Sequence, residues 1–303
     1  MKTDRSTGIK AALSSAFLMG LAPVFGRQAI LFGLSPLFVV TVRTVLAAAL
    51  LFLIVALFRR AYLFIYPAGM LGCTLAGVVN GLGSICYYLA LGRLSASIGQ
   101  MLYALYPLFL ALWLLLDKHP LHRLTLGRIA LAALAVLLLT GGSAGGVDPT
   151  GVALMIAGSV LYALHIPINQ RVLYDVPSPT VTLYTLLAIS AVVIPAFLLS
   201  GSGLPVPGVD WRPVIGLTLV TVLSRLALFL GVKHLGGMET ALLGLSELLV
   251  AIVFGHWWLG ERLTEIKWLG AFLLAASLLL VVMEPGPPAH TRRASGWLNW
   301  IRP

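Results

Sequence analysis

Charge is scarce in this sequence. Of its 303 residues, 10% are charged, against about 25% in an average soluble domain. Acids are scarcest, with 10 Asp and Glu beside 20 Lys and Arg. Cysteine occurs twice, at Cys73 and Cys86. On one helix the two would lie about 20 Å apart, too far for a disulfide, so they read as buried apolar thiols. Also missing are a G-x-x-x-x-G-K-[ST] loop, a G-x-G-x-x-G turn and an H-E-x-x-H pair. No polar segment is long enough for a separate folded unit. These absences exclude a nucleotide-driven motor domain, a soluble catalytic domain and a DNA reader.

Apolar residues are abundant instead, at 59%, and mean hydropathy is +1.00. A bilayer core of about 30 Å takes about 20 helical residues to cross. Ten stretches meet that length: Ile9–Leu31, Pro36–Phe58, Ala68–Leu91, Ser95–Leu116, Leu124–Thr140, Gly151–Arg171, Pro179–Leu199, Pro213–Leu235, Glu239–Leu259 and Glu265–Met283. The expected fold is an all-α membrane protein of ten transmembrane helices. The first stretch exceeds the ~7–15 residues of a signal-peptide core, so it is expected to be a retained helix. Breakers mark the connectors, as at Ser35-Pro36, Gly141-Gly142, Asp148-Pro149, Pro177-Ser178-Pro179 and Gly201 to Asp210.

The excess of basic residues has a direction. With the N-terminus inside, 13 Lys and Arg fall on the cytoplasmic side and only Arg93, Arg212, Arg262 and Lys267 outside. The positive-inside rule then places both termini in the cytoplasm, in the inner membrane of a cell. It also explains the net charge of +10 without a nucleic-acid partner. Lipid is the expected surrounding, and the expected assembly is a monomer.

An internal repeat runs through the spans. Pro23 matches Pro167 at an offset of 144, and Ser35-Pro36 matches Ser178-Pro179 at 143. Leu89, Leu94 and Leu108 match Leu230, Leu235 and Leu249 at 141, and Leu124-Thr125 matches Leu263-Thr264 at 139. Five spans per copy is an odd number, so two inverted five-helix repeats are expected around a central cavity, as in many secondary transporters. The expected divisions are a tail at 1–8, repeats at 9–142 and 149–284, and a cytoplasmic tail at 285–303.

Several segments carry a resemblance. Leu259-Gly260-Glu261-Arg262-Leu263-Thr264, after a Trp-bearing helix end, resembles the L-G-E-R-L-T signature of EamA-type transporters in the drug/metabolite transporter superfamily. Ala90-Leu91-Gly92-Arg93-Leu94-Ser95-Ala96 is similar to that family's segment between spans three and four. Arg43 resembles its span-two arginine, and Ser246-Glu247-Leu248 resembles its span-nine Glu-Pro pair with leucine in place of proline. Tyr106-Pro107 keeps the first-repeat proline and replaces the glutamate, and Asp117-Lys118-His119-Pro120 is a loose G-E-R segment. The resemblance implies a ten-helix basket whose cavity is lined by spans one, three, four, six, eight and nine. It implies a transporter of metabolites, often amino acids.

Candidate site residues follow from the cost of polarity in lipid. Glu247 is an intramembrane carboxylate, which faces a cavity or a partner by default. It reads as a proton carrier, a ligand for a substrate ammonium, or half of an ion pair with Arg225, which the tight connector near Gly236 places at equal depth. Arg43 either snorkels to the outer surface or faces an anion in the outer vestibule. His165 is a pH gate or a hydrogen-bonded core histidine. Gln100, Tyr103 and Tyr106 recur every third residue on one helical face and suit a moderately polar solute, as does Tyr87, with Asn80 and Asn169 as weaker candidates of that kind. Pro23 and Pro167 are candidate hinges. His119 and His122 have no further ligand cluster, so no metal is assigned, and no cofactor is expected.

The reading is therefore a secondary transporter, not an enzyme. It moves a small metabolite, an amino acid or similar solute, by alternating access, in the direction of export. Proton coupling and exchange both stay open. The alternatives are a non-transporting membrane scaffold, a channel or a membrane-embedded enzyme.

Overall fold

In the computed structural model, residues 5–116, 148–201 and 208–260 are described, with scattered positions over 127–138 and 265–276. The described residues form helices joined by turns and short irregular segments, with no strand among them. α1 is Arg5–Leu31, α2 Pro36–Phe58 and α3 Pro67–Leu91. α4 (Ala96–Tyr103) and α5 (Tyr106–Leu116) share one span. α6 is Pro149–Val172, α7 Ser178–Leu199 and α8 Arg212–Leu235. α9 (Gly237–Gly244) and α10 (Ser246–Leu259) share another.

Helix starts follow local chemistry. The Ser35 hydroxyl accepts from the Phe38 N–H, with Pro36 already inside the helix. Ser95 accepts from Ile98 and Asp148 from Thr150. Each satisfies an amide that has no intrahelical partner. Between α8 and α9 the chain turns at Gly236, whose φ of +91° only glycine adopts without strain.

Among the described residues, seven helical stretches are long and apolar enough to cross a bilayer: α1, α2, α3, α6, α7, α8 and the joined α9–α10. The joined α4–α5 is a shorter apolar helix. Together they occupy eight of the ten expected spans. The fifth and tenth expected spans are described only at scattered positions, and the Asp117–Pro120 and Glu261–Thr264 motif segments, with His119 and His122, lie outside the described residues. Leu199 and Trp257 are 86% and 85% exposed while Glu247, Asn80, His165 and Gln100 are at most 1% exposed. Apolar side chains outside and polar ones within suit a lipid solvent.

The halves pack across one another in matched pairs. Gly8 of α1 lies on His234 and Leu235 of α8, and Ser15 donates to the Ser224 carbonyl at 2.9 Å. α1 and α8 thus run antiparallel. In the matching pair, Gly83 and Gly158 bring α3 and α6 together, and Gly151 meets Leu94, so this pair is antiparallel too. The start of α1 lies beside the end of α8, and the following Gly237 N–H donates at 2.9 Å to Gln170 near the end of α6. The far end of α1 reaches α3, where Arg27 donates to the Leu91 and Gly92 carbonyls at 2.8 and 3.1 Å. α1 therefore ends on the side where α6 begins. The helices that open the two halves point in opposite directions.

The Gly77-x-x-x-Gly81 pattern faces Ala188 and Val192 of α7, so it serves packing within the bundle. Cys73 and Cys86 are both free.

Candidate functional site

Two spans are interrupted at equivalent places. α4 stops at Tyr103 and α5 starts at Tyr106; α9 stops at Gly244 and α10 starts at Ser246. At both interruptions the hydrogen bonds tighten to three-residue spacing: Leu108 N to Leu105 O at 2.9 Å, and Leu248 N to Leu245 O at 3.1 Å. The interruptions are stitched together. The Tyr106 hydroxyl donates to the Ala241 carbonyl at 2.9 Å, one of the last four α9 carbonyls, which lack an intrahelical donor. α1 passes close by, because a Cβ on Gly20 would stand 2.5 Å from the Glu247 carbonyl oxygen.

Beside these interruptions is a cavity of about 50 Å³, lined by Met19, Ala22, Arg43, Ser84, Tyr87, Tyr88, Gln100, Tyr103, Arg225 and Glu247. A water needs roughly 10–15 Å³ by this measure, so several waters fit. A metabolite site of roughly 300 Å³ or more does not fit in this conformation.

Expected residues fall into two groups. Tyr87, Gln100, Tyr103, Arg43, Arg225 and Glu247 all line the cavity. Arg43, 9% exposed, turns inward rather than out to the surface. Its Nη1 donates to Thr221 Oγ1 at 3.2 Å, and its guanidinium stands 4.6 Å over the Tyr88 ring. The lining of this cavity differs from the expected one at two spans: α2 contributes Arg43, and α6 contributes no lining residue. Tyr162 of α6 stands behind Tyr103, 5.1 Å away between ring centres.

Asn80, His165 and Tyr106 form the layer behind the lining. The Asn80 amide meets both terminal nitrogens of Arg225; with its oxygen turned toward them it accepts at 2.6 and 3.0 Å. Arg225 Nη1 also reaches His165 Nε2 at 3.4 Å. A guanidinium only donates, so Nε2 accepts. His165 Nδ1 bonds the Tyr162 carbonyl, which only accepts, so Nδ1 carries the proton. That pattern belongs to a neutral histidine. Tyr106 packs edge-on against Tyr162 at 5.0 Å. Asn169 is buried, and its Oδ1 accepts from Thr185 at 3.3 Å.

Arg225 and Glu247 line the same space without a direct ion pair. No contact within 4.0 Å joins Glu247 to Arg225 or Arg43, because Arg225 turns to Asn80 and His165. Pro23 and Pro167 sit inside α1 and α6, which continue through them. The interruptions are elsewhere, in spans four and nine. By sequence, Tyr88 stands only among the aromatics of spans three and four and Ser84 is unmarked, although Asn80, Ser84 and Tyr88 recur every fourth residue along one face of α3. That stripe was a usable signal. Met19 and Ala22 carry none.

Among the described residues, seven buried side-chain polar atoms make no hydrogen bond to the protein. Four of them line this one cavity: Arg43 Nε, Tyr88 Oη, Gln100 Nε2 and Glu247 Oε1. Gln100 shows how this arises, since its oxygen is engaged by the Tyr87 hydroxyl at 3.1 Å while its nitrogen is not. Buried polar atoms are nearly always paired. Three donors and an acceptor around one space can be satisfied by water or by another small polar molecule.

The model of the EamA-like transporter family matches residues 6–141 and 149–283. No curated protein matches the chain. Among solved structures, one titled "Crystal structure of protein" is 15% identical, covers 92% of this chain and 98% of its own, and superposes with a TM-score of 0.76. At that identity the likeness speaks for the fold.

Proposed function

The chain belongs to the EamA-like transporter family, whose model matches both of its halves. From that premise we propose that this multi-pass membrane protein is a secondary transporter that moves a small polar metabolite by alternating access. The observation that supports the reading most is the set of four unpaired polar atoms around one cavity at the meeting point of the two halves. Interrupted helices at matched positions in the two halves of a transporter point to its solute site.

The mechanism follows from the packing. The two halves are inverted repeats, and rocking one against the other enlarges the cavity toward each face in turn. Pro23 and Pro167 ease the bending of α1 and α6, because each removes one helical hydrogen bond. The solute is the size of an amino acid, and the direction is export across the inner membrane, with both termini cytoplasmic. Glu247 carries a proton or a solute ammonium through the cycle. The protein acts as a monomer.

Counterflow is the test. Proteoliposomes preloaded with a metabolite mixture should take up labelled solute faster than empty ones. A scaffold or channel gives equal rates, and that result would sink the proposal.

A further inference from the structure

The cavity lining is positive whatever the state of Glu247. Arg43 and Arg225 are guanidiniums, which are cations, and Glu247 is the single carboxylic acid among the lining residues. Two cations less one carboxylate leave +1, and a protonated Glu247 leaves +2. His165, behind Arg225, is neutral by its hydrogen bonds. Asp148 and Glu239 are engaged at the rims by Arg93 and Arg5. No other carboxylate of the described residues lines the cavity.

The unpaired atoms carry the same bias. Arg43 Nε and Gln100 Nε2 are donors with nothing to donate to, and the Tyr88 hydroxyl is free to donate as well. Against them stands one free acceptor, Glu247 Oε1. A buried cation without a counter-ion is costly, and a guanidinium pairs best with a planar oxyanion.

We infer that the solute carries a net negative charge: a small organic acid whose carboxylate is received by Arg43, Arg225 and Gln100, with an O–H or N–H group facing Glu247. This rests on the transporter reading of the same cavity. It selects hydroxy acids and acidic amino acids over neutral zwitterions, amides and amines. Tyr87, Tyr88 and Tyr103 supply rings for the rest of the molecule.

The experiment compares matched probes on the purified full-length protein. Lactate, glutamate and 4-hydroxyphenylacetate are set against lactamide, glutamine, 4-hydroxyphenylacetamide and lysine, at millimolar concentrations, by thermal shift. Stabilisation of the folded state reports binding. At least one acid should bind about tenfold more tightly than its amide, and Arg43→Gln should erase that difference. If Arg43→Gln does not fold, Gln100→Glu adds a second carboxylate and should abolish acid binding. Stabilisation by no acid, or equal stabilisation by amides or lysine, overturns the inference. Counterflow with the same probes separates the two readings. Acids that bind without exchange would sink the transporter reading alone. Exchange of amides or lysine without the acids would sink the negative-solute reading alone.

Discussion

Arg225 is held in place by groups that do not themselves line the cavity. Asn80 and His165 fix its guanidinium from behind, and Tyr162 lies 5.8 Å from it. Asn80→Leu should therefore leave a buried charge short of a partner. A loss of about 1–3 kcal/mol in stability is expected, read as a lower unfolding temperature in detergent. An unchanged temperature would show that Arg225 finds water instead. The tyrosines divide by a second pair of variants. Tyr106→Phe removes the bond to Ala241 and should cost about 0.6–1.7 kcal/mol, the range for hydrogen bonds between membrane helices, with solute affinity intact. Tyr103→Ala should weaken affinity with the protein still folded. Equal effects of the two on binding would contradict the division. Spacing alone put Gln100, Tyr103 and Tyr106 on one face, and that geometry holds only in an unbroken helix. The helix ends at Tyr103, so Tyr106 turns to α9 and away from the cavity. Glu247, Arg225 and Arg43 were legible because a charge in lipid is costly enough to need a polar surrounding. Their partners were not legible, since burial cost specifies no particular neighbour.

The elements carry the interruptions that shape the cavity. Gly20 lets α1 lie against the α9–α10 junction, where a Cβ would stand 2.5 Å from a backbone oxygen and 2.6 Å from Val250 Cβ. Gly20→Ala should force that junction aside at a cost of about 1–3 kcal/mol, as overpacking does, and displace Glu247. An unfolding temperature equal to wild type would refute the close approach. Span positions were readable from hydropathy, and Pro36–Phe58 has the expected limits. The interruptions were not, because Ala104, Leu105 and Leu245 are as apolar as their neighbours and leave the hydropathy unbroken. At the start of α6, Arg93 hydrogen-bonds Asp148 at 2.9 Å. This bond and then the Thr150 amide hold the Asp148 carboxyl below its usual range. A depressed carboxyl adds stability above its unfolded pKa of about 3.9 and loses it as the pH falls through its folded value. The stability advantage of wild type over Asp148→Asn should be full at neutral pH and fade progressively below about pH 4, as the carboxyl protonates in the folded state. An advantage independent of pH would assign the effect to helix capping alone.

At the scale of the whole molecule, exchange of the two halves turns each packed pair into another. α1 on α8 becomes α6 on α3. Two ion pairs obey the same exchange with their charges reversed. Arg5 at the start of α1 meets Glu239 at the start of α9, at 3.6 Å. Asp148 at the start of α6 meets Arg93, just before α4, at 2.9 Å. Each joins the first half to the second, and they lie on opposite rims because α1 and α6 point in opposite directions. The Arg93–Asp148 pair is exposed, at 52% and 33%, and such pairs hold weakly, at about 0–1 kcal/mol, while the Arg5–Glu239 pair is more sheltered, at 31% and 15%. Both rims are joined here around a cavity too small for a metabolite, the arrangement that the proposed alternating access would pass through between its two open states. Cysteines at positions 5 and 239, or at 93 and 148, joined by a bifunctional maleimide, should each stop counterflow while leaving solute binding detectable from the free rim. Reduction of a cleavable linker should restore exchange. If exchange continues at the wild-type rate with either rim locked, the halves do not rock about this cavity, and the solute takes another path.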